Sequence, residues 1–129
     1  MHYTKADVIG MVMDAAEGRM DFIYNPGRTR SDCAYVEGHK RSGEDGDGWD
    51  LSQAKPSCLI GCALIGAGVI TMLEILDSDN NDLGVDVVVA EMEDHTFDND
   101  AVDFMCNVQG KQDGGFSWKE AIQHGLTGK

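Results

Sequence analysis

The residues of this chain best suited to chemistry are its four cysteines, Cys33, Cys58, Cys62 and Cys106. Cys58 opens a run of apolar residues at the expected N-terminus of a helix, where the helix dipole favours a nucleophilic thiolate. The same apolar surroundings favour the neutral thiol, so a packed structural cysteine is the preferred reading. If Cys58 is a nucleophile in a small thiol-dependent enzyme, His39 or His95 is the available base, and only the fold can bring either one near. Cys58 and Cys62 lie one helical turn apart and, with Cys33 and His39, form a mixed set of the kind zinc accepts. Their spacing matches no standard zinc module, so no metal is expected.

Two acidic stretches resemble calcium loops without completing one. DSDNNDLG from Asp77 places oxygens at the first, third and fifth loop positions. Asp82 and Val88 then occupy the places that require glycine and glutamate. DGDGWD around Asp47 fails similarly. The chain has no phosphate-binding glycine loop, GxSxG elbow or HExxH pair, and no cofactor is expected.

The elements that would position these residues centre on Pro56 to Leu76, the one long apolar stretch. Its uncharged part reaches the lower edge of a membrane span, but its internal signals break it in two. Pro56 suits a first helical turn. Gly68 before apolar Val69 predicts a left-handed helix stop, and Thr71 with Glu74 predicts a capping box that starts a second helix. Two buried helices, about 58–67 and 72–77, are therefore expected in place of a spanning rod.

Upstream, Thr4 and Asp7 form a capping box, with Tyr3 and Val8 as its hydrophobic staple. A helix should follow to about Glu17, burying Val8, Val12, Ala15 and Ala16, with Ile9 and Met13 widening the stripe. Phe22–Tyr24 and Cys33–Val36 flank a Pro26-Gly27 turn and predict a short β-hairpin over about 22–36. Residues 37–55 are rich in glycine and charge and predict a mobile loop, with Trp49 either anchoring it or contacting a partner.

Residues 84–93 fit both helical and strand periodicity, and helix is preferred. Asp98, stapled by Phe97 and Val102, should cap a helix from about Asn99 to Gln112 with Val102, Met105, Cys106 and Gln109 inward. Ser117 and Glu120 box a last helix that Gly125 should end.

With 23 acidic against 10 basic residues in 129, the formal net charge is -13. Such a surface repels phosphates and anionic lipid, which disfavours direct nucleic-acid or membrane binding and attracts a basic partner. The opening MHYTKADVIG lacks the apolar core of a signal peptide, and the cysteine spacings give no compact disulfide framework. A reducing cytoplasm is the expected location.

CAYVEG (33–38), PSCLIG (56–61), GAGV (66–69) and VQGKQDGGFSWKEA (108–121) together resemble a group of small uncharacterised proteins from actinobacteria and their phages. In that group Cys-x-Tyr-Val, Pro-Ser-Cys-Leu-x-Gly, Gly-Val and VQxxQDxGxxW follow in this order. The likeness covers about half the chain, implies kinship without a known activity, and leaves 37–55 as an insertion where a few residues are expected. It marks Cys33, Tyr35, Pro56, Cys58, Gly61, Gln109, Gln112, Asp113 and Trp118. Gly61 would admit a neighbouring backbone and Trp118 would bury its ring. Gln109, Gln112 and Asp113 would tie the turn that follows them, or else face a ligand.

The expected fold is a single, mainly α domain (α+β), with about five helices around the central one. The expected function is that of an accessory protein, phage or mobile-element encoded, that binds a cellular protein and is not an enzyme. One alternative is an acidic mimic of nucleic acid that inhibits a DNA- or RNA-binding protein; a homo-oligomer stays open.

Overall fold

The computed structural model describes residues 1–23, 35–37, 40–42, 48–77, 84–92 and 95–127. It is mainly helical. A two-residue strand β1 (His2–Tyr3) leads into α1 (Lys5–Ala16). The predicted box is present: Asp7 N–H donates to Thr4 Oγ1 at 3.2 Å and Thr4 N–H donates to Asp7 Oδ2 at 2.9 Å. Val8, Val12 and Ala16 are buried, one helical face, whereas Met13 points outward. Gly18 ends this region with φ of 75°.

Strand β2 (Val36–Glu37) pairs antiparallel with β5 (Lys55–Pro56), and β3 (Lys40–Ser42) pairs antiparallel with β4 (Gly48–Asp50). The stretch read as a loop from 37 to 55 therefore contains a hairpin, with Arg41 opposite Trp49. Trp49 is half-buried and packs against the core. Of the hairpin expected over 22–36, the described ends pair elsewhere: Ile23 bridges to Ser117 and Val36 pairs with Pro56. Residues 24–34, with Cys33, lie outside the described residues.

The central stretch divides as predicted into α2 (Leu59–Gly66) and α3 (Met72–Asp77). Gly68 has φ of 77°, and Val69 N–H returns to Leu64 O at 3.0 Å, closing a left-handed cap. Thr71 and Glu74 exchange the two bonds of their box. No helix among the described residues is long and apolar enough to cross a membrane. Residues 85–90 form α4 (Val85–Ala90), burying Val85, Val88 and Val89 at helical rather than alternating spacing.

Strand β6 (Thr96–Phe97) pairs in parallel with β1. Asp98 then caps α5 (Asn99–Asp113) by position alone; its Oδ1 accepts from His2 Nε2 at 2.6 Å. The inner face of α5 is Ala101, Phe104, Met105, Val108, Gln109 and Gln112; Val102 and Cys106 sit on its flank, which rotates the expected face by one position. The Ser117–Glu120 box opens α6 (Trp118–Thr127). Gly125 does not end α6. A Cβ there would lie 2.6 Å from Val108 Cγ2, so this glycine lets α6 press onto α5.

Helices α1 and α5 flank α2, and α6 packs on α5. Close approach recurs at Gly61, where a Cβ would stand 2.7 Å from Tyr35 O and 3.0 Å from Tyr35 Cα. Backbone atoms cannot move aside as a side-chain tip can. Gly61→Ala should therefore lower unfolding free energy by about 1–3 kcal/mol, the usual cost of overpacking. Urea denaturation checks this, and an unchanged midpoint would show that the β2–β5 backbone yields freely.

Candidate functional site

Most of the motif residues meet in one buried polar web. Gln109 and Gln112 are three residues apart on α5 and so share a face. Gln109 Oε1 accepts from Val85 N–H, the first residue of α4, at 3.1 Å. Its Nε2 donates to the Tyr35 hydroxyl at 2.8 Å. Gln112 Oε1 accepts from Leu59 N–H, the first residue of α2, at 2.7 Å, and from Trp118 Nε1 at 3.1 Å. Its Nε2 donates to Asp113 Oδ1 at 3.0 Å.

The first N–H groups of a helix have no partner within it and must find one elsewhere when buried. On α2, Gly61 N–H donates to the Cys58 sulfur at 3.3 Å, and Gln112 takes the N–H of Leu59. On α4, the N-cap is Gly84, which has no side chain to offer, and Gln109 supplies the missing acceptor. The two glutamines are caps delivered from another helix. They do not tie the turn after α5, which closes through its own backbone with Gly115 at φ of 93°.

Tyr35 and Trp118 are completely buried. Tyr35 O also accepts from Ser57 N–H at 2.9 Å, beside the Val36–Pro56 pair. Burial drives the Tyr35 hydroxyl pKa well above its ordinary range; the bond from Gln109 opposes that rise, and the Asp113 charge adds to it. The hydroxyl is thus held neutral, as an anchor for Gln109.

Cys58 belongs to this web and not to a reactive centre. It is fully buried and disulfide-bonded, so its sulfur is no thiolate nucleophile or zinc ligand. The spacing of cysteines along the chain could not reveal this, because pairing depends on how close the fold brings two Cα atoms. Disulfides persist in oxidising compartments, so cysteine usage here gives no support to a reducing cytoplasm. Cys62 and Cys106 are half-buried and in no disulfide. Burial first, and the Asp86 charge second, push the Cys106 thiol pKa up. His95 lies against Tyr3 with ring centroids 5.5 Å apart and the ring planes tilted by 38°. Cys33, His39 and most of both calcium-like stretches lie outside the described residues, among which no three acidic, His or Cys groups gather as a metal site.

One exposed feature escaped the sequence reading. Residues 20–23 run beside 116–119, with Trp118 N–H donating to Phe22 O and Lys119 N–H to Met20 O, both at 2.9 Å. Phe22, Ile23 and Phe116 are 37%, 54% and 40% exposed on this ribbon. The Arg19 guanidinium lies 4.6 Å from the ring centroids of both Phe22 and Trp118, and Lys111 Nζ lies 4.1 Å from that of Phe116. The signal in the sequence is the run Phe22-Ile23-Tyr24, which also fits a strand of the expected hairpin.

Comparison of the chain with protein-family models, curated proteins and solved structures gives no match. Gln112→Ala tests the web directly. It strands two buried donors, each worth about 1–3 kcal/mol when left unpaired, so a loss of roughly 2–6 kcal/mol is expected. Chemical denaturation measures it, and a loss below about 0.5 kcal/mol, the range of ordinary surface substitutions, would show that Gln112 caps nothing of consequence.

Proposed function

We propose that this chain is a small acidic accessory protein, of phage or mobile-element origin, that acts by binding a cellular protein. The observation that supports it is the internal engagement of the motif residues. Tyr35, Cys58, Gly61, Gln109, Gln112 and Trp118 are all buried, and they bond or pack against one another or against helix N-termini. Their chemistry is spent on shape. What the molecule presents to solvent is charge: Asp7 and Asp14 on α1, Asp86 on α4, and Asp100 and Asp103 on α5 are exposed. A field of that sign, from a net charge of -13, accelerates encounter with a basic surface and rejects an acidic one.

A pull-down from host lysate with the tagged chain, washed at about 0.05 M and about 0.5 M salt, checks this. A specific basic partner retained in the first wash and depleted in the second is the expected result, since salt screens exposed charges. No protein enriched over a tag-only control at either salt would contradict the proposal.

A further inference from the structure

The ribbon of residues 20–23 and 116–119 differs from the rest of the described surface in two independent ways. Of the eight large apolar side chains that stand substantially exposed among the described residues, Phe22, Ile23 and Phe116 are gathered here, whereas Met1 precedes β1 and Met13, Leu73, Val87 and Leu126 lie on four different helices. Scattered exposed apolar residues are ordinary, but a cluster rimmed by charge marks a contact surface. The second difference is charge. Side chains are described for five lysines and arginines: Lys5, Arg19, Lys55, Lys111 and Lys119. Three of them stand at this end, together with Asp21, Asp113 and Glu120. Among the described residues Arg19, Lys111 and Lys119 form no ion pair.

From this juxtaposition we infer that the ribbon is where a second copy of this chain docks. A two-fold interface sets one surface against itself, so residue i of one copy meets residue j of the other and the reverse. Such a surface must carry both signs of charge to avoid repelling itself. Among the described residues, three cations and three anions surround the apolar centre here, on a molecule whose net charge is -13 and whose copies repel elsewhere. Arg19 and Lys111 already lie over aromatic rings, so part of the ordering cost of association is met in the single chain. A standard interface covers about 800 Å² per partner, roughly a tenth of a small protein's surface. One end of a molecule with 7188 Å² of surface can supply it.

Sedimentation equilibrium of the full chain over micromolar to millimolar concentration tests the inference. The expected result is a reversible species of twice 14.0 kDa. Ile23→Ser with Phe116→Ser, both at exposed positions, should raise the dissociation constant at least tenfold, while circular dichroism reports unchanged helix content. Lys111→Glu with Lys119→Glu should weaken association, as should Asp21→Lys, and an equimolar mixture of these two variants should associate more tightly than either alone. A monomer of 14.0 kDa throughout would overturn the inference. So would a dimer whose affinity none of these variants changes, or mixed variants that fail to rescue one another.

Discussion

The starts of two short helices, α2 and α4, are buried, and their first N–H groups set the terms for the rest of the structure. A buried backbone donor left unpaired costs about 1–3 kcal/mol, a sizeable part of what holds a small domain folded. Neither N-cap residue answers for Leu59 or Val85. Gln112 and Gln109 do so from α5, which fixes α5 against both helices in rotation and along its axis. Trp118 shares the Gln112 oxygen and so brings the start of α6 to the same point. Tyr35 receives the remaining Gln109 donor, and its own carbonyl holds Ser57 one residue before the α2 cap. Five segments distant in sequence are thereby placed by two amides.

This arrangement explains why residues that attract chemical attention turn out to serve architecture. A helix N-terminus with a cysteine, a late pair of glutamines and an aspartate also describe many active sites. Here the cysteine cap meets Gly61 N–H, the amides meet helix donors, and Asp113 accepts from Gln112. Burial alone would not decide the matter, since catalytic groups are often buried. The deciding fact is that the amide and indole groups are paired with fixed structural partners, so presenting them to a substrate would mean uncapping a helix. Among the described residues, exposed acids line α1, α4 and α5, and one aromatic ribbon carries both signs.

Local rules read much of the fold. The capping boxes at Thr4, Thr71 and Ser117 and the left-handed stop at Gly68 depend only on residues within one turn, and each stands where the pattern places it. The errors arise where distant parts intrude. Asp98 is the cap that the sequence names, but its carboxylate bonds His2, ninety-six positions away, and not the first turn of α5. Gly125 has the sequence of a stop, but Val108 and Phe104 need its missing side chain. Ile23 and Val36, from the arms that flank Pro26, look like partners and instead pair with Ser117 and Pro56. The candidate site was legible as a set of residues but not as a web, because nothing in the spacing of Gln109 and Gln112 says which helix each amide reaches.

The central claim, that amides from α5 secure the starts of α2 and α4, is tested most directly by native-state hydrogen exchange at Leu59 and Val85. First-turn amides of a helix ordinarily exchange by local fraying, at little cost. If Gln112 and Gln109 hold them, both N–H groups exchange only with the global unfolding of the domain, as slowly as the core amides of α5. Exchange of Leu59 and Val85 at the rate of unprotected first-turn amides would contradict the account.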